Sequence, residues 1–471
     1  MQEKKSIGFG TRGWILIIVL FLSFMSFQVF TNFPLNILAD FYGGSQRVAM
    51  LLTIGTLIGI VLQIVISTFV GKIKSIKKVT AVVGAVAIVM AICVSAIPRT
   101  SLTLWSACYL IVNVTITMYA LFFLSIIAGQ WFPTRKGTVM GIATIAYPFT
   151  NGVIGFFAGS AMNLGPDTDT FMGAMMAPPG TFPDEVVAAA NGAFSSSVLS
   201  AFLPFLIAAV VGYILFLVFV TDYPEQCGAY RDNDKNMTKE DADRMMMEEI
   251  EAKRTTVWKL GNIFSNRDFW FAAVTCGLLL ICAVGTMTQS QAIITSFPEL
   301  SYTVIMMIVA IFGAIGSWLL GVLDTKFGTR KSMIIATILM VVAGVLGLIA
   351  NSTRVGAFMV IAMILVAMFM GASSNYTVSV AAQYWRREDF APVFACVNPI
   401  ANIFNALAAT VVAALLYQFG GVGSVFIFIA ICGVIGIILM CMFSPAHVKE
   451  IDDKYRQAAG KPLDDALVGR K

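Results

Sequence analysis

Twelve apolar stretches of about 20 residues constrain the fold of this chain more than any other feature. A helix needs about 20 apolar residues to cross the hydrocarbon core of a bilayer. Apolar residues make up 58% of the 471 residues and charged residues 12%, a balance that a water-soluble domain does not bury. We therefore predict an all-α membrane protein with twelve transmembrane helices at 14–38, 48–70, 79–97, 102–128, 137–161, 196–220, 268–292, 302–323, 332–350, 355–382, 390–418 and 422–443.

The twelve stretches form two sets of six around a polar segment. We predict an N-terminal six-helix bundle at 1–220, a cytoplasmic linker at 221–267, a C-terminal six-helix bundle at 268–443 and a cytoplasmic tail at 444–471. Within the linker, Thr238 and Asp241 have the spacing that opens a short helix. The segment 162–195 is rich in glycine and proline and has four acids and no base, which is typical of an exposed loop or of a lid over the outer mouth.

The distribution of basic residues sets the orientation, because basic loops stay in the cytoplasm. With both termini inside, only Arg47, Arg99 and Arg354 of the 31 lysines and arginines fall outside. We therefore expect a multi-pass protein of the cytoplasmic membrane with both ends cytoplasmic. The net charge of +5 follows from this topology and does not indicate a nucleic-acid partner.

Cysteine and histidine usage argues against a metal site or cofactor. Seven of the eight cysteines fall in predicted helices without metal-type spacing, and the only histidine, His447, follows the last helix. No phosphate-binding loop or nucleophile–histidine pair is visible. We expect neither an enzyme nor a cofactor, but a monomer whose partners are the lipid bilayer and a small-molecule substrate.

An internal repeat links the two halves. "TRKGTVMGIATIAYPFTN" and "WRREDFAPVFACVNPIAN" place a basic pair, a proline and an asparagine at identical spacings, 251 residues apart. The chain therefore contains a duplicated six-helix unit, and two such units meeting at a cavity near the bilayer midplane are a known way to build a carrier. A channel or a receptor needs no such duplication.

Six plus six helices, a long central linker and the loop after the eighth helix resemble the major facilitator superfamily. In that loop Gly321, Lys326, Gly328, Arg330 and Lys331 are in register with the family motif, and Asp324 stands one residue before its acidic position. The stretch "WFPTRKG" after the fourth helix is similar to oxalate/formate-antiporter-like and monocarboxylate-type porters, and bile-acid carriers of intestinal anaerobes are a further comparison. The resemblance implies a secondary transporter that works by alternating access.

Uncharged polar side chains inside the apolar stretches are the candidate substrate ligands. They recur three or four residues apart, which places them on one helix face. The resemblance implies that the first, fourth, seventh and tenth helices line the cavity and that the fifth, eighth and eleventh also contribute. The candidates are Gln28, Asn32, Tyr147, Asn151, Gln289, Asn375, Asn398 and Asn402. The alternative is that such amides only join helices by hydrogen bonds.

Charge placement narrows the substrate. The eighth and eleventh helices contain no lysine or arginine, so a dianion would have no buried countercharge. We expect a monocarboxylate or an amphipathic organic acid, bile-acid-like compounds included. Coupling to protons would use a helix-end acid such as Asp40 or the substrate's own carboxylate. An exporter of neutral amphipathic compounds and a non-transporting sensor of the same fold are the alternatives.

Charged residues of the inner loops are the candidate gating residues. The two basic pairs of the repeat and the loop after the eighth helix lie where the two halves would meet on the cytoplasmic side. These residues are Arg135, Lys136, Asp324, Lys326, Arg330, Arg386 and Arg387.

Overall fold

The computed structural model describes residues 8–161, 164–178, 180–234, 237–254, 256–461 and 463. All regular structure in these ranges is helical. In the N-terminal half the helices are α1 (Gly10–Phe33), α2 (Ser45–Ser67), α3 (Ile76–Ala96), α4 (Leu102–Ile116), α5 (Leu124–Trp131), α6 (Lys136–Ala143), α7 (Ala146–Ala161), α8 (Thr168–Met176) and α9 (Asp184–Phe219). A π-helical segment, Pro34–Leu38, extends α1, and another, Thr117–Phe123, joins α4 to α5 in one span.

The second half repeats this plan after a helical linker. The linker carries α10 (Lys239–Arg254) and α11 (Leu260–Phe264). The spans and flanking helices that follow are α12 (Arg267–Thr288), α13 (Ser290–Thr295), α14 (Tyr302–Phe327), α15 (Thr329–Thr353), α16 (Gly356–Tyr384), α17 (Phe390–Tyr417), α18 (Val422–Met442) and α19 (Pro445–Ala458).

The predicted all-helical membrane fold is confirmed. Among the described residues, eleven helices are long and apolar enough to cross a membrane. The remaining predicted span, 137–161, is present as the shorter helices α6 and α7. Gly8, at the start of the described chain, contacts Arg135, and α19, near its end, contacts Arg386. We call the side of these contacts the inner face because its basic residues predict it to be cytoplasmic.

The fifth span is interrupted next to its proline. Pro148 has no N–H for the carbonyl of Thr144, and the helix breaks at Thr144 and Ile145. A Cβ atom on Gly313 of α14 would lie 2.7 Å from Pro148 Cβ, so the two halves pack closely beside this break. Its repeat partner Pro399 lies inside the continuous helix α17.

Helix α9 starts twelve residues before the predicted sixth span. Pro183 precedes its first turn, and Asp184 and Glu185 lie within that turn, where acids interact favourably with the helix dipole. Helix α8 also falls in the segment that its composition identified as a loop. The described part of 162–195 is therefore largely helical, in contrast to the loop that its glycine and proline content predicted.

Candidate functional site

A cavity of about 950 Å³, measured with its open mouth, lies between the two halves. The N-terminal half contributes Phe27, Gln28, Thr31, Asn32, Leu35, Ala49, Leu52, Thr53, Thr56, Asn113, Thr117, Leu121 and Tyr147. The C-terminal half contributes Leu280, Val284, Thr288, Met370, Ser374, Asn402, Asn405, Ala406, Ala409 and Thr410. A few polar groups among apolar side chains are the lining typical of a site for a small organic molecule.

The described lining of this cavity is polar but uncharged. Amides, hydroxyls and one phenol alternate with leucine, alanine, valine, methionine and phenylalanine, and no acid, lysine, arginine or histidine is among them. The side chains of Asn36 and Asp40 lie outside the described part of the structure. An uncharged wall offers hydrogen bonds without a countercharge for an ionic group.

Four predicted site residues line the cavity: Gln28, Asn32, Tyr147 and Asn402. Asn151 stands behind this wall, where its Oδ1 accepts a hydrogen bond of 2.7 Å from Gln28 Nε2 and its Nδ2 lies 3.7 Å from Met370 Sδ. Asn151 is therefore placed to orient Gln28.

The structure does not bring the other three predicted site residues to the cavity. Asn398 Nδ2 donates to Gln63 Oε1 at 2.8 Å, and Asn375 Nδ2 donates to the carbonyl of Gly137 at 3.2 Å. Both bonds join one half to the other on the inner side of the cavity. Gln289, just after α12, is also absent from the lining.

Several lining residues escaped the sequence interpretation, which concentrated on amides. Thr53 and Thr56 on α2, and Asn113 and Thr117 near the π-helical segment, are spaced three or four residues apart. This spacing was visible in the sequence. However, threonine is common in membrane helices because it bonds to its own backbone, so its presence alone does not indicate a cavity.

Helices α6 and α14 close the inner side of the cavity by direct backbone packing. A Cβ atom on Gly141 would lie 2.9 Å from Gly321 Cα, and Thr138 Oγ1 lies 2.9 Å from Thr325 Oγ1. Asp324 is 4% exposed at this contact, next to Gly137, and its Oδ1 accepts a bond of 2.6 Å from Thr329 Oγ1. The two halves therefore meet below the cavity.

The second basic residue of each repeated pair reaches across to the opposite half. The ammonium of Lys136 lies 3.6 Å from the ring centre of Phe390, and Arg387 Nη2 donates to the carbonyl of Gln130 at 2.8 Å. Lys136 is 5% exposed, so its charge is largely desolvated. These contacts add to the closure of the inner side.

The first basic residue of each pair holds a segment attached to its own half. Arg135 Nη1 donates to the carbonyl of Gly8 at 2.9 Å, before α1. Arg386 Nε bonds to Asp452 Oδ2 of α19 at 2.8 Å. The repeat therefore assigns different contacts to its two basic positions.

The remaining predicted gating residues lie at the same face. Arg330 donates to the carbonyls of Met440 and Cys441 at 3.0 and 2.9 Å, where it binds the C-terminal end of α18. Lys326 is exposed.

Helix α19 adds a buried charge cluster to the inner face. Arg456 Nη2 lies 2.8 Å from Glu388 Oε1 and 2.7 Å from Asp389 Oδ2. Burial and the neighbouring charge of Glu388 raise the pKa of Asp389 to about 7, although a hydrogen bond from Thr256 and the charge of Arg456 act in the opposite direction. The carboxyl group of Asp389 therefore titrates near neutral pH.

Comparisons with known proteins agree with this architecture. Residues 286–468 match the family model described as Major Facilitator Superfamily. No curated protein matches the chain. The described helices, the pairing of six with six and the central cavity define the class of fold, the major facilitator fold.

Three solved structures show the same fold at low sequence identity. The proton:xylose symporter XylE, bound to 6-bromo-6-deoxy-D-glucose, is 13% identical over 91% of this chain and 95% of its own, with a TM-score of 0.64. The fucose:proton symporter FucP of E. coli is 14% identical over 92% and 98%, with a TM-score of 0.62. The human organic anion transporter MFSD10 is 12% identical over 91% and 99%, with a TM-score of 0.61.

Proposed function

We propose that the chain is a secondary transporter that moves a small organic solute across the cytoplasmic membrane by alternating access. The observation that carries this proposal is the uncharged cavity between two repeated halves, whose inner side is closed where α6 packs against α14. A carrier requires such a site at the interface of two units that can separate. The structure corresponds to the state closed at the inner face.

The proposed solute carries at most one charge. Neither half contributes a described charged side chain to the cavity, so a dianion would lose its hydration without gaining a partner. Monocarboxylates, amphipathic organic acids and neutral solutes satisfy this condition. Hydroxyl and amide groups would bind the polar end of such a solute, and leucine, valine and methionine its apolar body.

Counterflow in proteoliposomes tests the transport proposal. Proteoliposomes that contain the purified chain are loaded with one unlabelled compound from a panel of neutral, monoanionic and cationic solutes. Uptake of the same compound in labelled form is then followed. We expect saturable counterflow that Ala406→Trp abolishes, because this residue lines the cavity. The matched control is Leu407→Trp, which changes the next residue, 47% exposed on the outer surface of the helix.

Loss of counterflow in both tryptophan variants, or in neither, would contradict the cavity assignment. Flux that never saturates and shows no counterflow would instead indicate a channel. Binding of a panel compound without any flux would favour the sensor alternative.

Proton coupling is the second part of the proposal. Asp324 is an acid buried within a span at the contact between the halves, where opening would expose its carboxyl group to the inner side. An inside-alkaline gradient should accelerate uptake, and a protonophore should remove the acceleration. In Asp324→Asn we expect counterflow at uniform pH to continue while the response to the gradient is lost. A gradient response that persists in this variant would exclude Asp324 as the coupling acid.

A further inference from the structure

The threonine hydroxyls of the cavity wall already use their hydrogens within the protein. Thr31, Thr53, Thr56 and Thr117 donate to the carbonyl four residues earlier at 2.6 to 2.9 Å, and Thr288 donates to the carbonyl of Gly285 at 2.8 Å. A hydroxyl has one hydrogen and two lone pairs. These five side chains therefore present acceptors to a bound solute.

The amides of the wall offer both donors and acceptors, because an NH2 group that makes one hydrogen bond keeps a second hydrogen. Nitrogen atoms of three lining amides are bonded: Asn113 Nδ2 to the carbonyl of Tyr109 at 2.6 Å, Asn402 Nδ2 to that of Asn398 at 2.9 Å, and Gln28 Nε2 to Asn151. The buried Oδ1 atoms of Asn113 and Asn405 have no hydrogen-bond partner among the described residues. Asn113 is only 1% exposed, so a solute donor is the natural partner for its oxygen.

This pattern discriminates between solute classes. A carboxylate has acceptors only and would face the acceptor oxygens of the five threonines, without a lysine or arginine in the described wall to compensate. An ammonium ion would supply donors but would find no carboxylate in that wall. A neutral solute with several hydroxyl groups supplies the donors and brings no charge to desolvate.

We infer that, within the proposed transport function, the solute is a neutral polyhydroxylated molecule of polyol or monosaccharide size. Its hydroxyl hydrogens bond to the threonine and asparagine oxygens of the wall. Its C–H groups pack against Leu280, Val284 and the alanines of α17. The neutral alternative is thus favoured over the organic acids expected from the sequence.

Thr117→Val tests this inference with a closely matched control. Valine keeps the volume but removes the acceptor. Thr115→Val changes a threonine two residues away that makes the same kind of bond, to the carbonyl of Ile111 at 2.8 Å, without lining the cavity. Both variants and the unmodified chain are assayed by counterflow and by ligand-induced thermal stabilisation, with sorbitol, myo-inositol, lactate, cholate and ethanolamine as probes.

We expect sorbitol or myo-inositol to exchange and to stabilise the protein. Thr117→Val should raise the polyol KM about five- to tenfold, the value of one hydrogen bond, and Thr115→Val should leave it unchanged. Exchange of lactate or cholate without polyol exchange would overturn the inference and leave the transport proposal intact. Polyol stabilisation without any exchange would support the solute class and contradict transport. Neither exchange nor stabilisation by any probe would overturn both.

Discussion

The two basic positions of the repeat should have separable roles in gating. We consider a variant with Lys136→Gln and Arg387→Gln, which removes their two contacts between the halves at the inner face and also the ion pair of Arg387 with Glu249 of the linker. A desolvated cation–π contact contributes about 2 kcal/mol and a hydrogen bond from a charged group about 1.5–3 kcal/mol. Water that solvates these groups in the open state offsets part of this sum. We therefore expect the closed state to lose about 3 kcal/mol relative to the open state, which lowers the ratio of closed to open protein about a hundredfold.

A cysteine at Ser317 reports the opening of the inner face. Ser317 is fully buried in α14, and its carbonyl oxygen would lie 2.9 Å from a Cβ atom on Gly141. Its alkylation by a membrane-impermeant maleimide from the inner side, in a background without the exposed Cys441, should accelerate about a hundredfold in the double variant. The same chain without Ser317→Cys gives the background rate.

The first basic positions provide the matched control. Arg135→Gln with Arg386→Gln should lower the melting temperature, because Asp452 loses a buried partner, without accelerating Ser317→Cys labelling to the same extent. Equal labelling rates in the Lys136/Arg387 variant and the unmodified background would refute the gating argument. A larger acceleration in the Arg135/Arg386 variant would refute the division of roles.

Three further predictions concern the cavity, the tail cluster and the packing between halves. Asn402→Ala should raise KM about tenfold with little change in melting temperature, and Asn402→Leu should nearly abolish counterflow; a parallel fall in stability would indicate a packing role instead. Between pH 6 and 8 the protein should lose about 1 kcal/mol of stability, because burial raises the pKa of Asp389 from 3.8 to about 7, so the folded state binds the extra proton below pH 7 and the unfolded state does not. Asp389→Asn should remove this slope from melting curves, and an unchanged slope would assign it to another group. Gly141→Ala should force the backbones of Gly141 and Gly321 apart and increase hydrogen exchange in 136–143, whereas unchanged protection would show that the contact can adjust.

The sequence was most informative about spans and the repeat, because apolar length and spacing are local properties. It identified Gln28, Asn32, Tyr147 and Asn402, which line the cavity. Polar side chains on one face of an apolar helix face the interior of the bundle or a cavity and not the lipid. It could not separate Asn402 from Asn398, four residues earlier. That distinction depends on Gln63 of the other half, which bonds to Asn398.

Contacts made by the tail and linker were also beyond sequence reasoning. Arg135 and Arg386 were grouped with their neighbours as gating residues, yet each holds a different attached segment. The burial of Asp324 depends on the approach of α6 to α14, which is set by tertiary packing at Gly141 and Gly321. A helix-end acid and a buried interface acid look identical in one sequence.

A reversible cross-link between Thr138 and Thr325 tests the central claim, that the halves must separate at the inner face in every transport cycle. Their hydroxyl oxygens lie 2.9 Å apart across the two halves, so the double variant Thr138→Cys and Thr325→Cys should form a disulfide on oxidation. Counterflow of the best panel compound is measured before oxidation, after oxidation and after reduction, with both single variants as controls. We predict that the oxidised double variant still binds the compound but loses counterflow, and that reduction restores it. Counterflow at the unmodified rate in fully cross-linked protein would contradict the account.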